Sequence, residues 1–182
     1  LSGKTIGIIG LGRVGKKLVK LLQPFGCNIF VNDINPDYQF IETYHLKLVD
    51  KETIFKQALI ITLHIPLTKQ TRNLIDEHVF RIMRHDAFLI NTSRGQIVNE
   101  DDLYNALKNH QISGAALDVY SQEPYSGPLS ECDNIILTCH MGSCTQESRA
   151  AMEIGAAQAV VDFFTGKPLK NRVPDELRIA DV

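Results

Sequence analysis

The sequence lacks the features that would assign it to several large classes of protein. It has no excess charge of one sign: 19 basic and 21 acidic side chains leave a net charge of −2. That balance provides no field for steering nucleic acid or an anionic membrane surface, so neither is expected as a partner. No apolar run approaches the roughly 18 residues that a membrane-spanning helix requires. No secretory leader is expected, because Leu1 to Gly10 reads as a strand entering a glycine turn. Four cysteines at irregular spacing give no disulfide framework, and a reduced, cytoplasmic setting is the expectation. Cys132, Cys139, His140 and Cys144 fit no common zinc spacing, so no metal is expected. Internal repeats, low-complexity tracts and internal linkers are also missing. The only shift in composition is a polar tail from about Asn171.

What is present is a chain of 182 residues, 44% hydrophobic and 22% charged, which suits one globular domain of ordinary size. The expected domain covers residues 1–172, with 173–182 as a C-terminal tail. Apolar runs of strand length recur at Thr5–Ile9, Ile29–Val31, Leu59–Leu63, Ala87–Ile90, Gly114–Val119 and Ile135–Thr138, with a weak one at Lys47–Val49. They show little alternation, as parallel strands covered on both faces do. Helical patterns lie between them. Arg13–Pro24 is expected to carry Val14, Leu18, Leu21 and Leu22 on one face. Asp76–Met83 follows, then Glu100–His110 with Asn99 as its N-cap. The longest helix is expected from about Cys144 to Thr165, opened by a capping box at Ser143 and Gln146 and stopped by Gly166 and Pro168. Alternation of this kind predicts an α/β fold: a Rossmann-type doubly wound parallel sheet with helices on both faces.

Gly10-Leu11-Gly12-Arg13-Val14-Gly15 fits G-x-G-x-x-G directly after an apolar strand and at the opening of an amphipathic helix. Gly10 permits the tight turn, Gly12 lets the backbone approach a pyrophosphate, and Gly15 lets helix and strand pack closely. The helix N-terminus offers unpaired N–H groups to the phosphates. Asp33 stands at the end of the second strand, where a carboxylate accepts hydrogen bonds from adenosine ribose hydroxyls. A 2′-phosphate would meet its charge, and no Arg or Lys follows in Asp33-Ile34-Asn35. NAD is therefore the expected cofactor, rather than NADP.

Further along, Leu63-His64-Ile65-Pro66-Leu67-Thr68, Leu89-Ile90-Asn91-Thr92-Ser93-Arg94-Gly95, Gly114-Ala115-Ala116-Leu117-Asp118-Val119-Tyr120 with Glu123-Pro124, and Leu137-Thr138-Cys139-His140-Met141-Gly142 complete a set. In order and spacing this set resembles the NAD-binding domain of the D-isomer specific 2-hydroxyacid dehydrogenases, of the phosphoglycerate dehydrogenase kind. The resemblance runs from residue 1 to about residue 172. It implies that Arg94 holds the substrate carboxylate and carbonyl, for which a planar fork of donors is suited. It also implies that Glu123 and His140 form a proton relay. Reduction of a 2-keto acid takes a hydride from NADH and a proton for the new alkoxide. An imidazolium gives that proton and takes it back in reverse, and a neighbouring carboxylate favours the charged ring and fixes its orientation. Arg13, Val14 and Thr92 are expected to line the cofactor site with the glycines and Asp33. Pro66 is expected near the adenosine half, through a backbone contact, and Asp118 near the nicotinamide end. The family resemblance also implies a homodimer formed through the cofactor domain.

Two local departures and one large one set this sequence apart from the family pattern. Cys139 replaces the usual proline before the histidine, and Arg84-His85-Asp86 replaces a Lys-Pro-Gly turn. The family's substrate-binding domain is absent from this chain, so NAD binding with little or no turnover is expected of it alone. An alternative function is an NAD(H)-sensing module of the corepressor type, without turnover. A decayed fragment is disfavoured because Arg94, Glu123 and His140 are all intact.

Overall fold

Seven short strands rich in Ile, Val and Leu form the centre of the fold: β1 (Thr5–Ile9), β2 (Asn28–Asn32), β3 (Lys47–Leu48), β4 (Ile60–Leu63), β5 (Phe88–Asn91), β6 (Gly114–Leu117) and β7 (Ile135–Leu137). The computed structural model describes residues 1–169 and 171–172, and the expected tail at 173–182 lies outside the described residues. The strands make one sheet in the order β3-β2-β1-β4-β5-β6-β7, and every pairing is parallel. The order reverses between β1 and β4. At such a switch point the loops after neighbouring strands diverge and leave a crevice outside their carboxyl ends.

Helices α1 (Arg13–Leu22), α2 (Tyr38–Thr43), α3 (Lys51–Gln57), α4 (Glu77–Ile82) and α5 (Glu100–Lys108) connect the strands, and α6 (Gln146–Phe164) follows β7. Side-chain alternation along β1 and β2 divides the buried residues between two faces. Ile6, Ile8, Ile29 and Val31 pack with Val19 and Leu22 of α1 and Ile41 of α2. Ile9 and Phe30 join a second cluster with Ile54, Phe55, Phe80, Leu103 and Leu107 of α3, α4 and α5. The expected doubly wound sheet with helices on both faces is therefore present.

The chain divides into two compact units, Leu1–Cys139 and His140–Val182. The first holds the whole sheet and α1 to α5. The second holds α6, whose end is a Schellman motif: Gly166 is left-handed, its N–H donates to Phe163 O, and Lys167 N–H donates to Asp162 O.

Several local expectations need correction. The buried face of α1 is Gly15, Val19 and Leu22, whereas Val14 and Leu21 are each 61% exposed. Helix α1 presses Gly15 against the sheet, and this rotates Val14 outward. Helix α6 is capped by Thr145, whose side chain accepts from Ser148 N, and not by Ser143. Ser143 is used instead in a turn that Cys144 N closes onto Met141 O at 2.9 Å. Helices α2 and α3, of 6 and 7 residues, had no readable period. Asp37 and Asp50 start them by accepting from Phe40 N and Thr53 N. Asn99 caps α5 as expected, accepting from Asp101 N and Asp102 N. The Arg84-His85-Asp86 turn is closed by a two-point ion pair, Nε to Oδ1 at 2.8 Å and a terminal guanidinium nitrogen to Oδ2 at 2.7 Å.

Gly15 fixes how closely α1 approaches β1, because a methyl group there would overlap the carbonyl of Gly10. Neither partner is a flexible side-chain end. Gly15→Ala should therefore destabilise the protein by about 1–3 kcal/mol, the usual cost of overpacking. A urea midpoint equal to that of the unsubstituted protein would disprove the contact.

Candidate functional site

The loops at the carboxyl ends of β1, β2, β4, β5 and β6 carry most of the residues singled out from the sequence. Gly10 follows β1 with a left-handed φ of +100°. Added side-chain atoms at Gly10 would meet the backbone carbonyl of His64, which follows β4. The two loops that border the switch point thus touch through backbone, and only glycine fits. At Gly12, by contrast, a Cβ would meet nothing within 4 Å. Gly12 therefore faces open space.

The N-terminus of α1 is unlike those of the other α-helices. Side chains of Asp37, Asp50, Asp76, Asn99 and Thr145 cap α2 to α6. Gly12 caps α1 with no side-chain hydrogen bond, and no acidic residue lies in its first turn. Its first N–H groups and positive dipole end are left for an anion. Arg13 and Val14, at the same end, are exposed. This open, glycine-lined, uncapped helix end fits a dinucleotide pyrophosphate.

Asp33 is tied to the glycine loop. Its Oδ2 accepts from Leu11 N at 2.6 Å, and its Oδ1 accepts from Asn35 N at 2.8 Å. Each carboxylate oxygen retains a further lone pair for a ribose hydroxyl. Pro66 is exposed after β4, and its carbonyl accepts from Thr71 Oγ1 at 2.7 Å.

His64 is half-buried, with its Nε2 3.1 Å from Thr62 Oγ1. Burial pushes its imidazole below the ordinary histidine value. His45, His78, His85 and His110 are exposed, as their polar surroundings in the sequence implied.

After β5, the fully buried Asn91 shapes the segment that bears Thr92 and Arg94. Its Nδ2 donates to Arg94 O at 2.9 Å, and its Oδ1 accepts from Ser93 N and Ser93 Oγ. Thr92 and Arg94 remain exposed, and one terminal guanidinium nitrogen of Arg94 donates to Ser93 O at 2.6 Å. Asp118, 7% exposed, accepts from Thr138 Oγ1 at 2.5 Å, and its N–H donates to Asn91 O. The carboxylate of Glu123 accepts from Tyr120 N at 3.1 Å. His140 has a left-handed φ of +52° and opens the second unit.

Tyr120 was given no role of its own from the sequence, yet it joins three of these segments. Its backbone lies against Gly95, where any Cβ would overlap it. Its N–H serves Glu123, and its hydroxyl lies 2.7 Å from the carbonyl of Thr138 and 3.1 Å from that of Leu117. Burial pushes the phenol up and keeps it a donor. The ring stacks on Tyr125 with centroids 4.5 Å apart. The Gly114–Tyr120 motif contains this residue, but no period or spacing shows that its partners are spread over three loops. Among the described residues no helix is long and apolar enough to cross a membrane, and no group of His, Cys, Asp or Glu is arranged to hold a metal.

The strand order, the glycine loop after β1 and the acid after β2 define a dinucleotide-binding α/β domain. A family profile described as "D-isomer specific 2-hydroxyacid dehydrogenase, NAD binding domain" matches residues 1–142, and the chain belongs to that family. It is 40% identical over 174 residues to a glyoxylate reductase of Thermococcus litoralis, covering 95% of this chain and 53% of that protein. It is 39% identical over 175 residues to a D-3-phosphoglycerate dehydrogenase of Methanocaldococcus jannaschii, covering 95% of this chain and 33% of that protein. Among solved structures, holo D-mandelate dehydrogenase of Rhodotorula graminis superposes with a TM-score of 0.88 at 28% identity, over 96% of this chain and 52% of that one. D-lactate dehydrogenase of Lactobacillus jensenii with NAD+ gives 0.84 at 30% identity, over 94% and 56%. The chain thus spans about half, or less, of the length of these relatives. None of them supports the corepressor-type sensing module.

The state of His64 has a consequence for stability. Its folded-state value lies below the ordinary 6.5, so below about pH 6.5 the unfolded chain binds more protons than the folded one. Its contribution to stability is complete above that pH and is lost as pH falls from 6.5 toward the folded-state value. Urea midpoints measured from pH 7.5 to pH 5 should decline in the unsubstituted protein and decline less in His64→Gln. Equal slopes would remove His64 from this dependence.

Proposed function

We propose that this chain is the cofactor half of an NAD-dependent D-2-hydroxyacid dehydrogenase, which interconverts a 2-hydroxy acid and its 2-keto acid. The observation that carries this reading is the uncapped N-terminus of α1 at the switch point, with open space at Gly12 and the Asp33 carboxylate bonded to the same loop. Gly12, Arg13 and Val14 face the pyrophosphate, Gly10 and Gly15 set the turn and the helix approach that hold them there, and Asp33 takes the adenosine ribose hydroxyls. Pro66 flanks the adenosine half, and Thr92 and Asp118 lie toward the nicotinamide end.

Bound NADH supplies the hydride. Arg94 grips the carboxylate and 2-oxo group of the acid, which fixes the carbonyl carbon and polarises its oxygen. His140 gives a proton to that oxygen as it becomes an alkoxide, and removes it in the oxidation direction. Glu123 is assigned as the carboxylate of the relay by the family resemblance, and in this chain it accepts from Tyr120 N–H. The names of the relatives span glyoxylate and 3-phosphoglycerate, and the part common to their substrates and products is an oxidised or reducible carbon next to a carboxylate. Recognition of the rest of the substrate is assigned to the family's substrate-binding domain. Homodimer formation through the cofactor domain and a cytoplasmic location follow from the same family reading.

Two experiments test these roles in the full-length protein. His140→Gln should lower kcat by at least a hundredfold, in the range typical of a lost general acid–base group, while NADH affinity stays unchanged. Turnover at the original rate would remove His140 from the chemistry. Gly12→Ala should retain its unfolding midpoint, because the methyl group enters open space, and should bind NADH at least tenfold more weakly in a fluorescence titration. Undiminished binding would place the pyrophosphate elsewhere.

A further inference from the structure

The corner between α1 and the loop after β2 carries a charge arrangement that no sequence motif announces. Asp33 ends β2 and is bonded to the glycine loop through Leu11 N. Asp37, four positions on, caps α2: its Oδ1 accepts from Phe40 N at 3.0 Å. Its other oxygen, Oδ2, lies 2.5 Å from Nζ of Lys16. Lys16 stands in the first turn of α1, with its N–H on Gly12 O at 2.9 Å. The Lys16 ammonium also lies 5.3 Å from the centroid of the Phe40 ring, within cation–π range. One cation and two carboxylates thus share the corner, and the cation is bound to the carboxylate farther along the loop.

The chemistry of the two dinucleotides makes that placement matter. With the adenosine ribose at Asp33, its 2′ position lies at this corner. A hydroxyl there donates to a carboxylate. A phosphate there brings a charge of about −1.5 to −2 and accepts only, so it is repelled by Asp33 unless a cation answers it. Lys16 is a cation of the right kind on a flexible stem. Its side chain is only 34% exposed, and it is held by both Asp37 and the Phe40 ring. The Lys16 ammonium first, and then the Phe40 N–H, hold the Asp37 carboxyl below the ordinary aspartate range.

We propose that the Lys16–Asp37 pair is a selectivity lock, in which Asp37 retains the Lys16 ammonium at the start of α2 so that a 2′-phosphorylated adenosine meets the Asp33 carboxylate while that ammonium is already engaged. Lys16 is then a latent 2′-phosphate receptor, and Asp37 is the residue that withholds it. This inference rests on the assignment of Gly10–Gly15 and Asp33 to the dinucleotide.

A four-protein cycle in the full-length chain tests it: unsubstituted, Asp37→Asn, Lys16→Met, and the double variant, each titrated with NADH and NADPH. Asparagine is as good an N-cap as aspartate, so α2 remains capped, and Asp37→Ser serves as a second cap-competent variant. Asp37→Asn is expected to lower the NADPH-to-NADH ratio of Kd values at least tenfold, mainly through tighter NADPH binding. Asp37→Ser should do the same. The double variant should lose that gain, because no ammonium remains to be released. An unchanged ratio in both Asp37 variants overturns the lock. So does an equal gain in the double variant, which would assign the effect to loss of a negative charge alone. If the unsubstituted protein binds NADH tightly and only the cycle fails, the dinucleotide site stands and this inference falls. If the unsubstituted protein binds neither nucleotide, both fall.

Discussion

The cofactor end of the sheet depends on the close approach of α1 to the carbonyl of Gly10. At Gly15 there is no room for a side chain, so the first turn of α1 is held directly above the end of β1. Gly10 makes the matching approach toward the His64 carbonyl on the other side of the switch point. These two backbone contacts leave the helix dipole pointing into the crevice. Its N-cap is Gly12, which has open space beside it but no side chain to close the helix as α2 to α6 are closed, and an anion is the natural replacement.

The remaining loops are ordered by polar groups that serve the backbone. Asn91, buried at the end of β5, bonds the segment that carries Arg94. Asp118 spans from Asn91 O to Thr138, and Tyr120 joins the Gly95, Glu123 and Thr138 segments. A crevice built this way holds the exposed side chains proposed for chemistry on loops whose backbones are bonded by buried polar groups. This reconciles the exposure of Arg94 and Glu123 with fixed placement of their main chains.

Much of the fold was legible because its signals are local. Each strand is a short apolar run, and α1, α5 and α6 have enough length to show a period or a cap, while α4, of 6 residues, was read within the Asp76–Met83 pattern. Helices α2 and α3 are too short for a period, and each depends on one aspartate that reads equally well as a turn residue. The face of α1 was misread for a related reason. Val14 and Leu21 satisfy an apolar pattern, but the pattern does not include Gly15, the position that in fact meets the sheet.

By itself the sequence determined the order of the strands and of α1, α4, α5 and α6, the glycine loop, the acid after β2 and the residue types offered for chemistry, because each is encoded by neighbours in the chain. Only the tertiary structure decided that, among the described residues, α1 is the one α-helix without a side-chain cap, that Tyr120 binds three loops together, and that Lys16 is held by Asp37. Those outcomes depend on residues brought together from separate strands and helices. No spacing rule connects such residues before the parallel sheet has set its order and register.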